Sequence, residues 1–346
     1  MKHQGDKGVK SQNKSKTKKV LGILLKVLAA IVIVILFFIA TVYTVNKISS
    51  YSEQKRMEPY GQHVSVDGKN MNVFIQGEGE ETIVLLPGFG TASPALDFKP
   101  LISELSPDYK VVVVEPFGYG LSDQTEKERS TANIVSEIHE ALQSLHIDRY
   151  ILMGHSISGI YSLDYVNKYA DEVSAYVGLD TSVPAISEQK VEASEIVPIQ
   201  WYRNLGFPRL QLKMSDDPYA GLPYDEQTKE QLNILIQKNM FNPTQLNEIV
   251  SMYSNFKAAE QLTFPVDLPV LFFVQKNHPA VDNWVPEHEK LIENSVRGEV
   301  VLLEANHYLY RSHAKEIAEK FRGFMTQQFK TGEDERDTTS GKENKE

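Results

Sequence analysis

A serine, a histidine and an aspartate stand in settings suited to acyl-transfer chemistry. Ser156 lies in "YILMGHSISGIYSL" (150–163), after an apolar run and before a helix-like repeat, with Gly154 and Gly159 around it. A sharp turn at such a junction lifts the hydroxyl above a sheet edge. It also aims the amides of the following helix at the site, which suits a developing anion. A serine hydroxyl attacks a carbonyl readily only when a base takes its proton. His307, in "EANHYLY" (304–310) just after the last strand-like run, is the candidate base. Asp180, which ends the strand-like run in "GLDTSVP" (178–184), is the candidate acid that fixes the imidazole tautomer and stabilises the imidazolium. The glycine-rich turn in "LLPGFGTAS" (85–93) can expose the amide of Phe89. With the amide of Ile157 it forms a candidate oxyanion hole, in which one donor is worth about 3 kcal/mol. Each residue also has an ordinary use. Ser156 could be a helix N-cap, His307 a structural histidine, Asp180 a cap on its turn, and the glycine turn a plain strand ending.

These side chains need a sheet edge to stand on. Short β-rich runs begin at "HVSVDG" (63–68) and continue through "MNVFIQG" (71–77) and "TIVLLPG" (82–88), the last two flanking "EGEE" and expected as a hairpin. "KVVVVEP" (110–116) is continuously apolar, as a strand buried on both faces must be. "YILMG" (150–154), "SAYVGLD" (174–180), "PVLFFVQ" (269–275) and "GEVVLLE" (298–304) are further strands. Between them, residues 95–106, 130–146, 157–170 and 313–328 repeat apolar positions at three and four, the helical spacing. Alternating strands and helices specify an α/β fold: a mainly parallel central sheet with helices on both faces. The alternation breaks over 185–262, which holds aromatics (Trp201, Tyr202, Phe207, Tyr219) and helix formers but no strand, and is expected to be a helical insertion.

The N-terminus reads differently. Residues 2–19 carry seven lysines and one acid, Asp6, and residues 27–45 are nineteen residues without a charge. Nineteen helical residues rise roughly 28 Å, about the thickness of a bilayer's hydrocarbon core. Val20 to Leu25 are also apolar, and Lys26 can snorkel. Lysine on the N-terminal flank keeps that end in the cytoplasm and places the remainder outside, as a single-pass protein of the cell membrane. A cleaved signal peptide fits less well, because "IATVYTV" offers no small-x-small cleavage site. The expected organisation is a basic cytoplasmic tail (1–19), a transmembrane anchor (20–45), a polar linker (46–60), a core in two segments (61–184 and 263–330), a helical insertion (185–262) and a disordered tail (331–346).

At this point the residues resemble the α/β-hydrolase fold family. Its Gly-x-Ser-x-Gly elbow looks like Gly154 to Ser158, with "GHSISG" standing for the common "GHSMGG". "VVVVEPFGYGLSD" (111–123) is similar to the family's Asp-x-x-Gly-x-Gly-x-Ser segment, with Glu115 in place of the aspartate and Asp123 expected to be structural. The resemblance covers roughly residues 60–328. It implies a serine nucleophile, a late histidine, an acid after a middle strand, and a cap where 185–262 sits. The chain departs from the pattern twice. Ser158 replaces the second elbow glycine, and serine is small enough for the elbow to survive. The family's usual acid follows the strand before the last, where this chain reads "FFVQKNHPAVDNW", with His278 at the common aspartate position and Asp282 a few residues later. Some members place the acid one strand earlier, which Asp180 fits; Asp282 is the alternative acid.

The leading function is a membrane-tethered serine hydrolase that cleaves a carboxylic ester, or a related thioester or amide, of a small-molecule acyl substrate. The alternative is a catalytically inactive hydrolase-fold protein that binds a ligand or partner at the cell surface. A carboxylate-nucleophile, dehalogenase-like enzyme is opposed by Ser156. A net charge of −10 argues against nucleic acid as a partner, and the absence of cysteine removes thiol chemistry and disulfides. There is no His-Glu-x-x-His, and "PGFGTAS" lacks the third glycine of a dinucleotide fingerprint, so neither metal nor cofactor is expected.

Overall fold

The structure is a computed structural model that describes residues 7–186, 189–279 and 281–326, with side chains from Lys18 onward. The tail expected to lack order, 331–346, lies outside the described residues, as do residues 1–6 of the basic tail and 327–330 of the core.

The chain opens with helix α1 (Lys7–Arg56), followed by β1 (Gln62–Val66), β2 (Lys69–Gln76) and β3 (Thr82–Leu86). Then come α2 (Pro94–Asp97), α3 (Lys99–Leu105), β4 (Lys110–Glu115), α4 (Thr131–Ser144), β5 (Tyr150–His155), α5 (Ser158–Lys168) and β6 (Val173–Leu179). Four helices follow without a strand: α6 (Val197–Leu205), α7 (Phe207–Met214), α8 (Glu226–Asn239) and α9 (Pro243–Ala259). The chain returns to the sheet with β7 (Val270–Gln275), α10 (Trp284–Leu291), β8 (Gly298–Leu303) and α11 (Leu309–Ser312), and a final helix, α12, covers residues 314–326.

The strands form one sheet in the order β1-β2-β4-β3-β5-β6-β7-β8. From β4 onward all neighbours are parallel; at one edge only β2 runs against them, and β1, antiparallel to β2, returns to the common direction. The valine run of β4 shows how the sheet is held. Val112 and Val114 join a core on one face with α4, α5 and α9, whereas Val111 and Val113 join a core on the other with α3 and α12. This is the two-residue period of a strand covered on both sides. Each such side chain, fully buried, contributes roughly 1.5–3 kcal/mol.

The hairpin expected between 71–77 and 82–88 does not form. β4 lies between β2 and β3, pairing antiparallel with the first and parallel with the second. Gly77 (φ +90°) and Gly79 let the connection cross closely over the backbone of Ser106, Asp108 and Tyr109 at the entry to β4, where a side chain would collide. The hairpin is instead β1–β2, turned by Asp67 (φ +48°) and Gly68 (φ +72°). Two positive φ values in a two-residue loop are what the right-handed strand twist requires.

The polar stretch expected as a linker, 46–60, is also different. α1 continues unbroken to Arg56 and lies against the inserted helices. Arg56 pairs with Glu230, the Glu58 amide donates to Gln231 Oε1 (3.0 Å), and Gln227 donates to Glu58 (2.7 Å). Tyr60 then donates to the buried Glu115 (2.9 Å), fastening this segment to the sheet edge. The helical insertion is present, but its last helix is shared: Phe256 and Ala259 of α9 sit in the core under the sheet.

Candidate active site

β5 ends at His155 and α5 starts at Ser158, so the chain must reverse within two residues. Ser156 takes the turn with φ +53°, a left-handed conformation that a non-glycine residue adopts only where its surroundings enforce it. The enforcement is visible. The Ser156 carbonyl accepts from the amides of Gly159 (2.9 Å) and Ser182 (2.8 Å). Gly88 packs so closely that an added Cβ would lie 2.9 Å from Ser156 Cβ and 2.5 Å from His155 Nδ1. Ser158, in place of the elbow glycine, donates its hydroxyl to the Pro87 carbonyl (2.5 Å) and so ties the 87–89 turn to the head of α5.

His307 follows β8 in the loop before α11. Its Nε2 lies 2.9 Å from Ser156 Oγ and its Nδ1 2.7 Å from Asp180 Oδ2. Asp180 stands at the end of β6, beside β5, fully buried and with φ +49°. Its carboxylate accepts from four donors: the Gln275 amide (2.9 Å), Gln275 Nε2 (2.6 Å), Trp284 Nε1 (2.8 Å) and His307. Burial pushes the Asp180 carboxyl up, but the bonds from His307, Gln275 and Trp284 outweigh it and hold the group below its ordinary value. An ionised Asp180 accepts Nδ1–H from His307, which leaves Nε2 as the nitrogen that faces the serine hydroxyl and accepts from it.

The structure therefore brings Ser156, His307 and Asp180 together and leaves Asp282 outside the group. Asp282 is exposed, just before α10, and Asp180 occupies His307 Nδ1. The two candidate oxyanion donors flank Ser156: Ile157 is next in the chain at the head of α5, and Phe89 follows Gly88. Glu115 is buried and takes no part; it accepts from Tyr60, Asn72, Ala95 and Leu121, and burial raises its carboxyl above the usual range. Asp123 accepts from the Asn70 amide (2.8 Å) and caps the strand edge. Among the described residues no group of three or more histidine, aspartate or glutamate side chains could hold a metal ion.

Reasoning from sequence missed three supporting residues. Gln275 and Trp284 position Asp180, and His155 positions His307. The His155 ring is buried, its pKa lowered to about 3 by burial and by His307, so it is neutral. Its Nε2–H donates to the His307 carbonyl (3.0 Å) and anchors that loop. The one available signal was the "GHS" histidine beside the elbow; nothing local marks Gln275 or Trp284, which lie about a hundred residues from Asp180 in the chain.

Comparison with known proteins bears on the fold. Residues 81–216 match the family model described as the alpha/beta hydrolase fold. The chain is 30% identical over 261 residues to the uncharacterised protein YbdG of Bacillus subtilis, covering 73% of this chain and 79% of that one. It is 29% identical over 132 residues to 2-(acetamidomethylene)succinate hydrolase of Mesorhizobium japonicum, which covers 38% of this chain and 46% of the relative. An epoxide hydrolase from Bacillus megaterium, at 17% identity, superposes with a TM-score of 0.61 over 77% of this chain and all of its own. The mainly parallel sheet, the strand–serine–helix elbow and these matches together assign the chain to the alpha/beta hydrolase fold superfamily, to which it belongs.

Proposed function

We propose that this hydrolase-fold protein is a membrane-tethered serine hydrolase that cleaves a carboxylic ester or related acyl bond through an acyl-enzyme. The observation that carries the reading is the continuous chain Ser156 Oγ, His307, Asp180, at 2.9 and 2.7 Å. In this mechanism His307 Nε2 takes the Ser156 proton as Oγ attacks the acyl carbonyl carbon. The tetrahedral oxyanion is held by the amides of Phe89 and Ile157. The imidazolium, stabilised by the Asp180 carboxylate, then gives its proton to the leaving oxygen, sulfur or nitrogen, and the acyl group stays on Ser156. Water enters, loses a proton to His307 and attacks the ester carbonyl. Collapse of this second intermediate releases the carboxylic acid and restores the serine. Relatives named as hydrolases support the reaction class.

The N-terminal helix is long and apolar enough to cross a membrane, with a stretch of mean hydropathy 3.2 exposed along its length. With lysines on its N-terminal side, the reading places that end in the cytoplasm and Ser156 outside. A membrane-impermeant fluorophosphonate applied to intact cells tests both parts. Wild-type chain should label, and Ser156→Ala should not. Labelling only after lysis reverses the orientation. Absence of labelling in lysed cells overturns the nucleophile and favours the ligand-binding alternative.

A further inference from the structure

The inserted helices meet α1 inside its apolar run, not beyond it. Along the second half of α1 the half-buried positions are Ile39, Val42, Asn46, Ser49 and Glu53, spaced at three and four and therefore on one face. The polar end of this stripe is fixed by Arg209 of α7. Its Nε donates to Asn46 Oδ1 (2.9 Å), Nη2 to Ser50 Oγ (3.2 Å), and its two Nη to the Glu53 carboxylate. Gly206, the elbow between α6 and α7, lies so close to Asn46 that a side chain there would overlap it. Immediately after it, Phe207 reaches down α1 to Phe38, ring centroids 6.5 Å apart, and stacks on Tyr202.

Phe38 precedes Asn46 by eight residues, about 12 Å of helix. The apolar stretch Val20–Val45 is longer, at roughly 39 Å, than a hydrocarbon core of about 30 Å. If the core takes 27–45, Phe207 lies within it. If it takes 20–39, Phe207 lies at its edge. In both registers the α6–α7 elbow is at the lipid boundary.

The elbow's composition fits that position. Residues 196–215 contain no acid, in a chain of net charge −10; Arg209 is buried on Glu53 and Arg203 is held on the Lys238 and Met240 carbonyls, so the exposed basic residue is Lys213. None of α6 is buried, and it presents Val197 (45% exposed) and Trp201 (66%) at i and i+4, while Met214 of α7 is 80% exposed. Exposed aromatic and apolar side chains beside basic ones mark a helix lying in a membrane interface.

We infer that the α6–α7 hairpin is a second membrane contact, lying in the outer-leaflet interface beside α1 with Trp201 in the acyl region. The inference rests on α1 spanning the bilayer but not on the chemistry of Ser156. It makes the inserted helices a fixed, lipid-seated part of the protein, so the catalytic core is held at the membrane surface and not on a loose tether.

The chain has two tryptophans, and α1 has none. Trp284 is buried against Asp180, so Trp201 reports on the hairpin. The full chain is reconstituted in vesicles of phosphatidylcholine brominated at acyl carbons six and seven, and Trp201→Phe supplies the Trp284 background. The difference emission should be quenched by half or more relative to unbrominated vesicles, and should resist aqueous iodide. Quenching by iodide alone would show that the surface faces water and overturn the proposal. Shielding from both quenchers would show that protein covers it, a second copy or another partner, and would overturn it equally. Retention of the vesicle-bound chain at alkaline carbonate separates these results from failure of the anchor itself; release would remove both.

Discussion

Replacing Asp180 by asparagine tests how the acid works. The carboxylate has four donors and no partner that needs a proton from it. Asparagine keeps the shape but turns one oxygen into an NH₂ donor. Placed at the Oδ1 position, that NH₂ meets the Gln275 backbone amide and the Trp284 indole, neither of which can become an acceptor. Two buried donors would lose their partner, at roughly 1–3 kcal/mol each. Placed at the Oδ2 position, it meets the Gln275 side-chain amide, which can flip, and His307, which can change tautomer. The second arrangement wins by several kcal/mol. It moves the His307 proton to Nε2, so the nitrogen that faces Ser156 becomes a donor and cannot take the hydroxyl proton. Trapping the wrong tautomer lowers turnover about 10⁴-fold, near 5.4 kcal/mol of transition-state stabilisation. The hydrogen-bond count in the folded state barely changes, so the melting temperature should move by only a few degrees. Initial rates on p-nitrophenyl acetate, with the full chain in micelles, read the effect, and Asp282→Asn is the control. Asp180→Asn activity above a tenth of wild type, or an equal loss in Asp282→Asn, would refute the reasoning.

Two other perturbations follow from the site. His155 is held neutral with its pKa lowered to about 3, so the unfolded chain takes up that proton first as pH falls from 6.5. Native stability should drop through this window, by about 2 kcal/mol at pH 5 from this group. His155→Gln keeps an N–H for the His307 carbonyl and does not titrate. Denaturant unfolding at pH 7 and 5, followed by Trp284 emission in a Trp201→Phe background, should show a smaller loss in the variant, and equal losses would count against a buried neutral imidazole. Gly159→Ala places a Cβ 2.5 Å from the Ser182 carbonyl and 2.7 Å from Thr181 Cβ. Because the Ser182 amide also holds the Ser156 carbonyl, overpacking there should cost about 1–3 kcal/mol and slow fluorophosphonate labelling; unchanged labelling would mean the elbow is not held by that contact.

The features legible in the sequence are those with local causes. Continuous apolar runs such as residues 110–115 and 150–154 announced strands covered on both faces, and the three- and four-residue spacing announced α4, α5 and α12. The elbow was legible because a serine between a strand and a helix, with glycine beside it, has few uses. What misled was strand order. "EGEE" reads as a hairpin turn, yet register depends on which strand fills the gap, and β4 comes from later in the chain. The true hairpin signal, Asp67-Gly68, was in view in "HVSVDG". The docked half of α1 was illegible for a similar reason. Its polar residues look solvated until Arg209, some 160 positions later, supplies their partner.

The placing of the acid shows how a distant residue can decide a local question. β7 lies between β6 and β8, so the loop after β8 must bring His307 across the end of β7 to reach Asp180. The family's usual acid stands just beyond that end, where this chain has His278. The strand itself closes with Gln275, which offers two N–H groups to Asp180 and no second negative charge. Two carboxylates at that spacing could not both remain ionised in a buried site, since like charges drive one of them to hold its proton. An acid at the end of β7 would therefore compete with Asp180 for His307 and raise the pKa of whichever lost. A neutral donor at 275 removes that competition and helps keep Asp180 charged. The acid at 180 and the amide at 275 thus form one coupled arrangement. Gln275, which carries no catalytic chemistry of its own, is the residue that makes the earlier strand a workable place for the carboxylate.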